Sequence, residues 1–316
     1  MKPILCLGDI CADLILPLGA VQRAKRGERV PVSETDVVFR HGGSVANTAA
    51  ALAKLGLNVL FSGTVGADAY GAELKEGLRS LGIDETRLRS DPAVPTLLIA
   101  IVLDEAGDRT AFATHRTGAS QHRILPSQLP EPLTESIGWL HCSGMMLREE
   151  PAASTQLDAM RRCHAAGIPV SLDINARIES RNDAAFYRNL VEATSYCTVL
   201  LGSRETELPL LCGAEDDAAI RSLAAPDRIV VARDGERGAT VYTTRETLHC
   251  PACSVPVADT IGAGDAYDAG FIAALLWGQT FSEANRIANA VAGCCVMHKG
   301  GRSTPTRKEL DEFLSE

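Results

Sequence analysis

Short β-branched runs alternate with longer alanine- and leucine-rich segments along this chain, and that alternation restricts the fold more than any other feature. Residues 4–7, 59–62, 170–173, 198–201 and 229–232 read as buried strands. Between them, residues 45–55, 74–81, 154–166 and 218–224 read as helices. Strands and helices taken in turn predict an α/β fold with a central, mostly parallel sheet covered by helices on both faces. Ligands of such sheets bind beyond the carboxyl ends of the strands. At 316 residues and 46% hydrophobic, the chain has enough apolar material for one large core. Two stretches break the alternation. Residues 14–40 and 96–114 carry half-polar extended runs at 30–33 and 97–102, and a turn at 104–108. They predict a small β-sheet lid over a substrate, with a surface hairpin or a dimerisation flap as the plainer alternatives. The division is then a core of residues 1–13, 41–95 and 115–316, and a lid of residues 14–40 and 96–114.

Net charge and cysteine use narrow the function classes. A formal charge of -9 argues against a general nucleic-acid or membrane-surface binder. Lys2 is followed too soon by Asp9 for a secretory signal, and no apolar run reaches membrane-spanning length. The ten cysteines are scattered through apolar segments and read as thiols of a reducing, cytoplasmic compartment. Cys250-Pro251-Ala252-Cys253 has the spacing of a redox or zinc pair but lacks a companion pair.

The run Asp259-Thr260-Ile261-Gly262-Ala263-Gly264-Asp265 precedes an apolar segment, residues 266–277, that reads as a buried helix. Gly262 and Gly264 permit a tight turn and close approach of a ligand, and the first amides of a helix are free to hold an anion. A carboxylate beside such a cradle repels a phosphate, so Asp265 is suited to accept a proton from an incoming hydroxyl. The alternative is a glycine-rich helix cap carrying an ordinary first-turn aspartate. A dinucleotide fingerprint would need glycine where Tyr267 stands, and no Gly-Lys pair exists for a Walker A loop.

Joined to Gly42-Gly43-Ser44-Val45-Ala46-Asn47-Thr48-Ala49, that run resembles the closing and opening motifs of the ribokinase-like carbohydrate kinases, the PfkB family. Further segments fit in the family's order: Gly8-Asp9-Ile10-Cys11-Ala12-Asp13, Gly63-Thr64-Val65-Gly66, Asp173-Ile174-Asn175-Ala176-Arg177 and Asp234-Gly235-Glu236-Arg237-Gly238. The resemblance spans essentially the full length. It implies that Asp265 is the catalytic base and that the amides of Ala263, Gly264 and Asp265 form the anion hole, with Gly262 permitting the turn. It implies that Asp13, Gly42, Gly43 and Asn47 hold the sugar. Without the family, Asp13 reads equally as a strand-end turn and Asn47 as a helix-entry cap.

On the nucleotide side, the resemblance carries over to Ser203, Arg204, Arg233, Gly235, Gly238 and Asn289. ATP and Mg2+ are implied, with Glu207 holding the metal through water. Arg204 stands where the family usually has asparagine, and either touches a nucleotide phosphate or points to solvent. A monovalent cation, K+, is implied at Asp259, Ile261, Cys295, His298, Gly300 and Ser303, mostly through carbonyls, with Lys299 or water as the alternative occupant. For the substrate, a small sugar or sugar acid is expected, and Arg116 and Arg177 could pair with a carboxylate. A nucleoside kinase on the same fold, with Phe39 and Phe112 flanking a base, and a catalytically silent sugar sensor are the alternatives. Sheet-mediated homodimers are compatible with the lid but not required by it.

Overall fold

The computed structural model describes residues 2–105, 109–114, 118–176 and 183–315. In chain order its strands are β1 (Ile4–Leu7), β2 (Cys11–Leu16), β3 (Val38–Gly42), β4 (Val59–Gly66), β5 (Asp84–Asp91), β6 (Leu98–Leu103), β7 (Arg109–Ala113), β8 (Trp139–Ser143), β9 (Val170–Asp173), β10 (Val199–Ser203), β11 (Ile229–Arg233), β12 (Ala239–Tyr242) and β13 (Thr247–Cys250). The helices are α1 (Leu18–Lys25), α2 (Ser44–Lys54), α3 (Ala69–Arg79), α4 (Leu133–Ser136), α5 (Ala152–Ala165), α6 (Ala184–Thr194), α7 (Leu208–Cys212), α8 (Asp217–Arg221), α9 (Ala263–Leu276), α10 (Phe281–Val296) and α11 (Arg307–Phe313).

Among the described residues, nine strands form the central sheet in the order β13-β12-β11-β10-β9-β8-β1-β4-β5. Pairing is parallel from β5 to β11 and antiparallel only at β11-β12 and β12-β13. The strands are apolar on both faces because helices cover both. Ile4 and Cys6 of β1 pack with α2, α9 and α10, while Leu5 and Leu7 face the opposite layer containing α5 and α6. Each expected strand lies at its expected place. β5 was not expected, because Asp84-Glu85-Thr86-Arg87 is too polar to read as a buried strand. It is the sheet's edge, where one side stays wet and charge discourages further pairing.

β3-β2-β6-β7 form a second, four-stranded sheet. Its β2-β6 pair is parallel and the outer pairs are antiparallel. Here the extended reading of residues 30–33 does not hold: Val32–Glu34 makes a single 3-10 turn after Pro31. Pro31 cannot donate to a ladder, and β3, the strand that pairs with β2, begins at Val38. Residues 18–25 form helix α1, which the sequence reading passed over within a stretch read as extended. Of the turn expected at 104–108, residues 106–108 lie outside the described residues. Of the second sheet's strands, β2 begins at Cys11 and β3 ends at Gly42, so Asp13 and Gly42 both stand on it.

Candidate active site

The site is built where the carboxyl ends of β9, β10 and β11 meet the starts of α2 and α9. α9 begins three residues earlier than its apolar run implies, at Ala263. Gly262 is its N-cap in the left-handed region, φ 77, and a β-carbon there would lie 2.4 Å from Cα of Gly301. Both the backbone and the space therefore demand glycine. Ala263 belongs less to the anion hole than expected, since its amide donates to the Thr260 carbonyl at 3.3 Å. The amides of Gly264 and Asp265 have no acceptor among the described residues, and no side chain caps the helix. Two open N–H groups at the positive end of a 14-residue helix make an anion cradle.

Asp265 sits on that first turn, held by residues from the other end of the chain. Ser44 Oγ donates to its Oδ1 at 2.7 Å, and Asn47 Nδ2 donates to its Oδ2 at 2.9 Å. Thr48 Oγ1 donates to its carbonyl at 3.3 Å. Burial pushes the Asp265 carboxyl up to about 7, against the hydrogen bonds from Asn47 and Ser44, with Asp173 and Asp9 adding repulsion. Asn47 is not the helix-entry cap, because Asp9 takes that role, accepting from the amides of Ser44 at 2.7 Å and Val45 at 3.2 Å. Neither is Asp13 a turn cap. It lies mid-strand in β2 opposite Arg40, and burial raises its carboxyl to about 6. A β-carbon on Gly42 would fall 2.5 Å from the Asp13 carboxylate, and one on Gly43, φ 96, would strike the Ile10 backbone.

Arg233, at the end of β11, is the electrostatic centre beneath the cradle. Its Nη2 reaches Asp173 Oδ1 at 2.6 Å and Glu207 Oε2 at 3.3 Å, and its Nη1 reaches Asp268 Oδ1 at 2.9 Å. A β-carbon on Gly264 would lie 2.9 Å from Nη1, so the glycine makes room for the guanidinium beside the open amides. Three carboxylates on one cation leave an acidic surplus. Burial and the neighbouring Asp173 raise Glu207, and burial raises Asp268 strongly, whose Oδ2 is buried without a partner among the described residues. Among the described residues, no group of three or more His, Cys, Asp and Glu is arranged to hold a metal unaided. This acidic corner fits a divalent cation that Glu207 and Asp173 would hold and that would supply positive charge to offset theirs.

The remaining expected residues divide clearly. Arg204 neither reaches the cradle nor hangs in solvent: it bonds Tyr242 Oη and Asp217 Oδ1, both at 2.6 Å. The amide of Ser203 donates to Glu207 Oε2 at 2.7 Å and thus shapes the acidic corner. Gly238, φ 92, is required because the Cys250 carbonyl would be 2.1 Å from a β-carbon, whereas Gly235, φ 57, faces open space. Asn289 is buried in α10, donating to Asn285 O at 2.9 Å. Arg116 and Arg177 lie outside the described residues. At the late loop, Asp259 accepts from the amides of Ile261 at 2.8 Å and Gly300 at 3.0 Å, stapling the Gly262 turn to residues 298–303. Cys295 Sγ approaches the Ile261 carbonyl at 3.9 Å, the His298 amide closes on the Cys295 carbonyl, and Ser303 Oγ donates to Lys299 O. Cys250 and Cys253 are free thiols, like the other eight.

Four site residues escaped the sequence reading: Ser44, Asp173, Asp268 and Arg302. Ser44 and Asp173 lay inside quoted motifs, so position offered a signal. Arg302 lies in the loop at 298–303, and Asp268 is the single charge in an otherwise apolar helical run, the mark of a buried carboxylate that needs a partner.

The pattern described as pfkB family carbohydrate kinase matches residues 1–308. The chain belongs to that family. Fructokinase of Klebsiella pneumoniae is 31% identical over 85% of this chain and 83% of its own length. The ATP-dependent ribose-1-phosphate kinase of Halopiger xanaduensis is 30% identical over 92% of this chain and 94% of its own. Among solved structures, a double mutant of Vibrio cholerae fructokinase, bound to fructose, ADP and potassium, superposes with a TM-score of 0.83 at 26% identity. That match covers 99% of this chain and 98% of the other. The fold is ribokinase-like, and the chain is a carbohydrate kinase by family, a phosphotransferase. No described helix of this family member is long and apolar enough to cross a membrane.

Proposed function

We propose that this kinase transfers the terminal phosphoryl group of ATP to a hydroxyl of a small sugar or sugar acid, with Asp265 as the base. The observation carrying this reading is the buried Asp265 carboxyl, at about 7, standing on the same helical turn as two open amides. The terminal phosphate would lie on the amides of Gly264 and Asp265, with the Arg233 guanidinium beside them. The hydroxyl would lie between Asp13, Asn47 and Asp265, beneath the second sheet acting as a lid. Mg2+, carried in with the nucleotide, would offset the surplus of Asp173, Glu207 and Asp268. Potassium at the Asp259 loop would stiffen the turn before the cradle. The free thiols fit a reducing compartment, and the second sheet's outer face offers a dimer contact.

ADP release measured with ATP, magnesium and potassium against hexoses, pentoses, sugar acids and nucleosides tests the reading. Turnover is expected with sugars, and none with any member of the panel would reject it. Omitting potassium from the positive reaction should slow it. Phe39 and Phe112 do not favour nucleosides, because strand alternation places both on the sheet face opposite Asp13. Phe39 there stacks on Tyr70.

A pH consequence follows. Turnover should rise with pH through about 7 as Asp265 loses its proton. Ser44→Ala removes a hydrogen bond that favours the carboxylate, so the rising limb should move to higher pH. An unmoved limb in kcat-pH profiles of the variant would contradict the assignment.

A further inference from the structure

Arg302 is a half-buried cation that makes no ion pair among the described residues. Its Nε donates to Asn47 Oδ1 at 3.3 Å and its Nη2 to the Gly42 carbonyl at 3.4 Å, both neutral acceptors at long range. Nη1 is sealed from solvent with no partner among the described residues, and no carboxylate comes within ion-pairing distance. Other buried arginines of the site are finished: Arg233 holds three carboxylates. A desolvated guanidinium left with an open N–H group is costly unless a ligand completes it.

The position is built rather than accidental. Lys54 Nζ clamps the backbone on both sides of the residue, donating to the carbonyls of Arg302 at 2.6 Å and Thr304 at 3.2 Å. Asn47 joins Arg302 to the base, since its amide nitrogen serves Asp265 while its oxygen serves Arg302. The guanidinium is near enough to Asp13 and Asp265 for its field to lower the Asp13 carboxyl and for theirs to raise the arginine. Across the cleft, Arg40 faces the same space from β3, passing 3.7 Å from where a β-carbon of Gly300 would stand. A cleft of about 580 Å³, lined in part by Arg40, Ile261 and Gly300, opens between the second sheet and the Gly300 loop, with Arg302 two residues beyond its edge at Gly300.

We infer that the phosphoryl acceptor is an anionic sugar, and that Arg302 is the residue that recognises its carboxylate or phosphate while Asp265 faces the accepting hydroxyl. This rests on the phosphoryl-transfer reading above and specifies its substrate. Arginine suits the task because its planar fork offers bidentate, charge-assisted hydrogen bonds to either group. With one arm of the fork held by Asn47 and Gly42, the unpartnered Nη1, covered in this structure, would give a ligand that reaches it a fixed direction. Asn47 then spaces the anionic end from the reacting end by the width of one amide side chain.

Calorimetry on the full chain, with 2-keto-3-deoxygluconate and ribose 1-phosphate as anionic probes and fructose and ribose as neutral ones, tests it. At least one anionic probe should bind about tenfold or more tighter than the neutral sugars, the charge-assisted bond being the difference. Which anionic probe wins separates a carboxylate from a phosphate. Arg302→Gln should bring the ratio of anionic to neutral affinity close to one, and Arg302→Lys should keep part of it. Melting curves of both variants establish that they fold. Equal binding of neutral and anionic sugars by the wild type, or an unchanged ratio in Arg302→Gln, overturns the inference. ADP release from the same mixtures separates the two readings. Fructose turnover without anionic binding rejects the anionic acceptor alone, whereas tight anionic binding without ADP release supports Arg302 and rejects phosphoryl transfer.

Discussion

Asp265→Asn is expected to lower turnover about 10²-fold or more while nucleotide affinity changes little. The substitution keeps the shape of the side chain and the acceptor for Ser44 Oγ, but it removes the only group on the α9 turn able to take a proton. It also sets an amide N–H group against that of Asn47, so one of the two hydrogen bonds now steadying the carboxylate is lost. The fold should not suffer. The Asp265 pKa is raised above its ordinary value, so protons bind more tightly to the folded than to the unfolded chain. Its contribution to stability is therefore full below about pH 4 and is lost as pH rises through about 7. At pH 8 the asparagine variant should melt no lower than the wild type. Steady-state kinetics alongside a melting curve distinguish a lost base from a damaged fold, and near-normal turnover would remove Asp265 from the mechanism.

Arg233→Met is expected to be the most destabilising single change in the site. The guanidinium is shared by the buried Asp173 and Asp268 and the largely buried Glu207, so its removal leaves three carboxylates without this counter-ion. Breaking a buried ion pair from one side costs roughly 3–5 kcal/mol. The carboxylates can escape the cost by taking up protons, which makes the loss depend on pH. Denaturant unfolding should show a large deficit at pH 8 and a smaller one near pH 5. A deficit that is small at pH 8, or equal at both values, would mean that the cluster is solvated and the charge argument wrong. Any folded fraction should also turn over slowly, because the cation beside the open amides is gone.

Much of the fold was legible because each local pattern agreed with the global one. The strands at Ile4–Leu7 and Val170–Asp173 are short apolar runs whose length and bounding residues, rather than any period, mark them as buried strands. β5 was hidden because an edge strand need not be apolar, and β3 because its partner β2 lies more than twenty residues away. The residues 30–33 misled for a related reason: β-branched character signals extension only when a neighbouring strand exists to receive it.

The catalytic turn was legible in the same sense. Gly262 must be glycine for its left-handed backbone, and the apolar helix behind it fixes where the free amides point, so a local run specifies the cradle. What surrounds the cradle is a matter of tertiary structure. Ser44 and Asn47 reach Asp265 across more than two hundred residues of chain, and Arg233, Asp173 and Asp268 meet only because β9, β11 and α9 converge. Arg302 is the sharpest instance. In the sequence it is one arginine in a glycine-rich loop, equally suited to solvent. Folding half-buries it and gives its guanidinium only neutral hydrogen-bond acceptors among the described residues. Backbone conformation is set by neighbours along the chain and can be read there, whereas the cost of a buried charge depends on which distant groups share its enclosure.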